Sequence, residues 1–303
     1  LLMILLILAL WLYHKHRLIS FGIFWFFITL SLESTIFPIS DVIFEHRLYL
    51  PMMGFAIGVP VAVYRLCGAK RAGRWVLIGL VCLYGVLTFQ RNRVWSDRLT
   101  FIKDIQTKSS AKARVYNSLG SAYYARNQLE RAETAFRKCL ALGPQDVIAS
   151  RARNNLGLLY YDQGQYARAM EEFRAALRVT ESQSAIAASY TYNNIGRLHF
   201  ARDRYGLALA AYTKAISLNP YLSEAYNNRG ALFRKLERYD RALKDYDRAL
   251  RLNPRDVDVL SNKGLLFRIR GKYGPALEAY TRAVNASPQD ARLYYDRGLV
   301  YKA

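Results

Sequence analysis

Residues 223–254 read SEAYNNRGALFRKLERYDRALKDYDRALRLNP, and the fold is decided by what recurs 34 residues to either side. Within this stretch Tyr226, Gly230, Ala242, Tyr246, Ala249 and Pro254 hold fixed places. The same places are held by Tyr192, Gly196, Ala208, Tyr212, Ala215 and Pro220 before it. After it come Leu260, Gly264, Ala276, Tyr280, Ala283 and Pro288, and then the start of another unit at Tyr294 and Gly298. Two earlier copies keep the frame. One has Tyr116, Gly120, Ala132, Phe136, Cys139 and Pro144; the other has Gly157, Ala169, Phe173 and Ala176, with Glu181 in place of the proline. The glycines of these copies are 37 and 39 residues from the next, so a few extra residues are expected in loops between units.

In a period of this length the glycines, with the small alanines opposite them, let two helices approach closely across a short turn, and the aromatic rings are expected to fill the space between neighbouring hairpins. No single hairpin can bury its apolar face, so several must stack before a continuous core exists. The pattern resembles the tetratricopeptide repeat. That resemblance implies an α-solenoid over residues 111–303, with five repeats and a partial sixth.

The first third of the sequence is a different material. Residues 1–13 are apolar and stop at Lys15 and Arg17. Leu18 to Ile36 carries Glu33 as its only charge, Leu48 to Leu66 is interrupted by Pro51 and Pro60, and Trp75 to Phe89 is a shorter apolar run. A bilayer core takes roughly 20 apolar helical residues. Residues 1–92 therefore read as about three and a half transmembrane helices, and 93–110 as a connecting helix. The expected fold class is all-α: polytopic membrane helices followed by the solenoid. Both ends read as interior to a longer chain.

Loop charge gives an orientation. Lys15 and Arg17, and then Arg65, Lys70, Arg71 and Arg74, contrast with Glu33, Asp41 and Glu45 on the stretch between them. Basic loops stay in the cytoplasm, so the repeats are expected on the outer side, periplasmic in a bacterium or lumenal in a eukaryote.

The net charge is +21, and residues 101–303 hold 34 Lys and Arg against 19 Asp and Glu, a net +15. Such a balance suits an anionic partner. The array carries no nucleic-acid-binding motif, so a protein or acidic peptide is the expected partner rather than a nucleic acid. Neither the three cysteines nor the four histidines show metal-ligand spacing. No metal or cofactor is expected. Cys139 takes a small-residue packing place, and His199 stands where other repeats have an aromatic ring.

Two groups of residues are candidates for function. The sixth place of the unit reads Ser118, Asn155, Asn194, Asn228, Asn262 and Asp296. An amide both donates and accepts, so asparagines repeated on the inner helices would form a ladder able to grip an extended peptide backbone. Arg114, Arg151, Arg197, Arg234, Lys235 and Arg268 on the same helices would bias that groove toward acidic ligands. The second group is Asp41, Glu45, His46 and Arg47, which concentrate acids, an imidazole and a guanidinium in an outward loop. They could hold a lipid phosphate. Equally, Ser40 could cap a short helix, Glu45 pair with Arg47 and Tyr49 anchor the interface.

The stretch from Glu45 through Arg47 and Tyr49 to Pro51, followed by membrane helices and repeats, is similar to multi-spanning GT-C-class O-mannosyltransferases that carry tetratricopeptide repeats. The resemblance implies an enzyme using a lipid-phosphate-linked sugar. In that family the catalytic acid lies in the first outward loop, which this sequence does not contain. The expected function is a membrane-anchored interaction module, with a portion of such a glycosyltransferase as the alternative.

Overall fold

The computed structural model describes residues 97–108, 112–143, 146–180 and 183–303, with isolated positions between 11 and 89. Apart from those isolated positions, the expected membrane segments lie outside the described residues, as do Asp41, Glu45, His46 and Arg47. Among the described residues no helix is long and apolar enough to cross a membrane. The chain divides into two compact units, Leu1–Lys108 and Ser109–Ala303.

In the first unit the described helix is α1, Arg98–Lys108. Asp97 caps it: its Oδ2 accepts from the Thr100 backbone N–H at 2.9 Å and the Thr100 hydroxyl at 2.7 Å. Leu99 and Ile102 are its buried side chains.

The second unit is a stack of helical hairpins. Its helices are α2 (Ala113–Ala125), α3 (Leu129–Ala141), α4 (Asp146–Asp162), α5 (Tyr166–Thr180), α6 (Ala185–Ala201) and α7 (Tyr205–Leu218). They continue as α8 (Ser223–Lys235), α9 (Tyr239–Leu252), α10 (Val257–Ile269), α11 (Tyr273–Ala286) and α12 (Ala291–Lys302). Among the described residues there is no strand. Each even-numbered helix packs on the odd-numbered helix that follows it, and each even-numbered helix also touches the even-numbered helix of the next repeat. No two of the odd-numbered helices α3 to α11 touch. The array therefore curves, with the even-numbered helices on its inner face.

The glycine row explains the hairpin. A Cβ at Gly120 or Gly196 would lie 2.5 Å from the ring of Phe136 or Tyr212, and at Gly230 it would lie 2.7 Å from Tyr246. Phe173 faces Gly157 and Tyr280 faces Gly264 in the same way. These five rings are at most 2 % exposed, and Ala132, Ala169, Ala208, Ala242 and Ala276 are fully buried beside them. The repeat frame is thus a volume rule: one inner helix gives up its side chain so that one outer-helix ring can fill the gap.

The turn within each hairpin also repeats. Asn127, Gly164, Asp203, Glu237 and Gly271 stand seven residues after the packing glycine, and all have positive φ, between 55° and 72°. The next N–H then reaches back to close the inner helix, as Gln128 to Tyr123 O at 3.0 Å and Arg238 to Phe233 O at 2.8 Å. Three of these left-handed positions carry a side chain, which costs about 1 kcal/mol or more where glycine costs nothing.

The extra residues of the second and third repeats do not form longer loops. Helices α4 and α6 are 17 residues long, whereas α2, α8 and α10 have 13. The addition lies at their N-terminal ends: α4 and α6 begin eleven residues before Gly157 and Gly196, and the shorter helices seven before their glycines. One more turn, about 6 Å of helix, projects from the inner layer of these two repeats. Ser184 caps the added turn of α6 by accepting from the Ala187 N–H at 3.2 Å.

Candidate functional site

The inner helices carry asparagine at two adjacent places, and together these join the repeats. Asn155 Nδ2 donates to Asn117 Oδ1 at 3.1 Å, Asn194 to Asn154 at 3.1 Å, Asn228 to Asn193 at 2.9 Å and Asn262 to Asn227 at 3.0 Å. Each donor belongs to one repeat and each acceptor to the repeat before. The expected row of amides is therefore also a row of inter-repeat bonds, and the Asn155 Nδ2 reaches Ser121 Oγ as well, at 3.4 Å. Asn193 and Asn194 are buried, and Asn117, Asn154, Asn155, Asn227, Asn228 and Asn262 are half-buried. The acceptor row was not singled out from the sequence, although the doublets Asn154–Asn155, Asn193–Asn194 and Asn227–Asn228 mark it.

A cleft of about 560 Å³ opens on the inner helices of the second and third repeats. It brings together Arg151, Asn155, Asn194 and Arg197 of the expected set, with Asn117, Asn154 and Thr191 beside them. Val147, Ile186 and Tyr190 line it as well, and Glu224 stands at its border. Arg151 and Arg197 make no ion pair among the described residues. The Arg197 guanidinium stacks over the Tyr161 ring at 5.1 Å, which holds its plane without neutralising its charge.

The remaining expected residues lie elsewhere. Arg114 is half-buried on α2, and Asn228 and Asn262 lie further along the inner face. Lys235 is exposed in the last turn of α8. Arg234 and Arg268 lie near buried tyrosine hydroxyls: Arg234 and Tyr246 interact, as do Arg268 and Tyr280. Burial raises both tyrosines above the usual phenol range, and the nearby guanidinium partly offsets the shift.

Several charges outside the cleft are paired. Arg229 grips buried Asp245 with two bonds, Nε to Oδ2 at 2.8 Å and Nη2 to Oδ1 at 2.9 Å. The bond to Asp245 raises the guanidinium pKa still further. Lys263 bonds to Asp247 at 2.7 Å across the repeat boundary, and Arg270 to Asp240 at 2.8 Å. On the other side of the array the Tyr160 hydroxyl donates to Glu133 at 2.8 Å and accepts from Arg137 and Arg168. Tyr124 donates to Asp162 of the next repeat; burial and that bond both push the phenol pKa up. Among the described residues no three His, Cys, Asp or Glu side chains converge as a metal ion would require.

Stacked hairpins with a ring against a glycine, curved around an inner groove, define a helical-repeat protein of the kind whose inner layer is open to ligands. Models of the tetratricopeptide repeat match residues 113–146, 148–220, 223–256 and 264–303, so residues 113–303 are an array of tetratricopeptide repeats. The chain is similar to the protein O-mannosyl-transferase TMTC3 of Homo sapiens, 27 % identical over 114 residues. That match takes in 37 % of this chain and 12 % of the human protein. Among solved structures, PilF of Pseudomonas aeruginosa is 26 % identical with a TM-score of 0.52, covering 63 % of this chain and 83 % of its own. TTC0263, a thermophilic TPR protein of Thermus thermophilus, shares the fold at 22 % identity and a TM-score of 0.52, over 63 % of this chain and all of its own.

Proposed function

We propose that the array is a protein-interaction module that takes an extended acidic peptide along the inner groove of its second and third repeats. The observation that carries this is the cleft itself: Arg151 and Arg197 line it together and, among the described residues, neither makes an ion pair, whereas Arg229, Lys263 and Arg270 are each tied to an aspartate. Asn154, Asn155 and Asn194 add amide groups suited to a peptide backbone. Charge-assisted bonds in a sheltered cleft are worth about 1.5–3 kcal/mol each. Titrating the full chain with two fluorescent decapeptides, one rich in glutamate and one rich in lysine, tests the reading. The glutamate peptide should bind and weaken as salt rises. Preference for the lysine peptide would overturn it.

We propose in addition that residues before 97 anchor the array in a membrane, with the repeats on the outer side. The apolar runs and loop charges support this, as do Trp75, Ile78, Leu83, Val86 and Phe89, which are helical and at least half exposed. Protease added to sealed vesicles should digest the repeats only from the outer face; digestion only after the vesicles are opened from the other side would reverse the orientation.

The match to an O-mannosyl-transferase favours a second reading, in which the array presents an acceptor to a glycosyltransferase using a lipid-phosphate-linked sugar. Asp41, Glu45, His46 and Arg47 would then hold the lipid phosphate, the planar Arg47 donating two bonds. In a preparation that transfers sugar, Arg47→Ala should abolish transfer while the amount of folded protein holds. Parallel loss of both would give the loop a structural role only.

A further inference from the structure

The extra turns of α4 and α6 have a chemistry of their own. Val147 and Ile186 sit on them at the same place, ten residues before Gly157 and Gly196. Helices α2, α8 and α10 begin three residues too late to have a helical residue at this place. Both side chains point into water, 44 % and 61 % exposed, and both line the cleft that holds Arg151 and Arg197. One turn further along α6, Tyr190 lines it too and is 44 % exposed. Three large apolar side chains left in solvent around one cleft, beside two arginines that make no ion pair among the described residues, form a surface with two parts.

Resting on the peptide-binding reading, we propose that this cleft selects a segment in which an acidic residue stands beside a bulky apolar one. The carboxylate meets Arg151 and Arg197, and the apolar side chain covers Val147, Ile186 and Tyr190. Charge complementarity commits the occupant to an acidic peptide, because among the described residues no acid forms an ion pair with either arginine. Glu224 borders the cleft from the first turn of α8 and repels a second carboxylate at that end. The acid of the ligand therefore lies toward α4 and α6.

The test uses the full chain and three fluorescent decapeptides: one with two glutamates followed by leucine, one with serine in place of the leucine, and one with glutamines in place of the glutamates. The leucine peptide should bind about tenfold tighter than the serine peptide, as expected for a partly covered aliphatic side chain. Both side chains to be replaced are exposed, so the Val147→Ser, Ile186→Ser double variant should keep the wild-type helicity. It should lose the tenfold preference of the leucine peptide over the serine peptide. Equal binding of the leucine and serine peptides by the unaltered chain would overturn the selection proposed here while leaving acidic-peptide binding in place. Failure of all three to bind would remove both, and tight binding of the glutamine peptide would remove the role of the arginines.

Discussion

The second and third repeats and the fourth and fifth are built on one frame yet differ on their inner face. In both pairs a ring fills the space above a glycine, and an asparagine donates to the repeat before. In the fourth and fifth, three cations are tied internally: Arg229 by Asp245, Lys263 by Asp247 and Arg270 by Asp240. In the second and third, the inner helices gain a turn, Arg153 pairs with Glu172, and Arg151 and Arg197 line the cleft with no ion pair among the described residues. The difference teaches that stacking fixes only the buried places of the unit. The inner surface is left to vary, and it differs between these two pairs of repeats.

Removing a buried ring should cost the same in both regions. Phe173→Ala and Tyr246→Ala should each lower stability by about 3–5 kcal/mol in denaturant titrations; a clear inequality would break the premise that the two regions share one packing rule. Charge removal should separate them. Asp245→Ala leaves a half-sheltered guanidinium without its carboxylate and should cost about 3 kcal/mol, whereas Arg151→Ala should leave the unfolding midpoint nearly unchanged. A smaller effect comes from the turn of the fourth repeat. Glu237 has a φ of 57°, and Glu237→Gly should stabilise by about 1 kcal/mol because the left-handed strain disappears. The same substitution at Glu224, in a helix, should destabilise.

The smallest expected effect is a pH dependence confined to the third repeat. His199 is held below the ordinary imidazole range by burial, then by Arg204, Arg202 and Arg174, and its Nδ1 is buried without a partner. Above a pH of about 6.5 the ring is neutral folded and unfolded alike. Below it the unfolded chain takes up the proton first, so stability falls as pH falls toward the folded value. Melting curves between pH of about 7 and 5 should show this loss, and His199→Phe, which copies Phe233 of the next repeat, should remove it.

The buried frame was legible in the sequence because few residues fit so tight a space, but the partners within it were not: spacing sets alanines against the glycines and rings between hairpins, whereas Tyr212 lies on Gly196 and Tyr246 on Gly230 within one hairpin. Nor were the insertions. An excess of a few residues reads as a loop, but Ala185, Ile186, Ala187 and Ala188 are good enough helix residues to extend α6, and Ser184 caps them. Spacing placed Asn155, Asn194, Asn228 and Asn262 on the inner helices, yet it could not show which neighbour each amide meets. That depends on the rise between repeats, which brings each of them to the asparagine one place earlier in the preceding repeat. Arg234 and Arg268 share the inner helices with Arg197, and only the folded array shows them beside Tyr246 and Tyr280 instead of the cleft.

The central claim is that binding charge resides in the second and third repeats. It is tested most directly by comparing two double variants against the glutamate-rich decapeptide. Arg151→Ala with Arg197→Ala should weaken binding by about a hundredfold, two charge-assisted bonds being lost, while Lys235→Ala with Arg268→Ala should stay within about twofold of the unaltered chain, the charges it removes lying outside the cleft. The reverse order of effects, with the second pair abolishing binding and the first leaving it intact, would contradict the account.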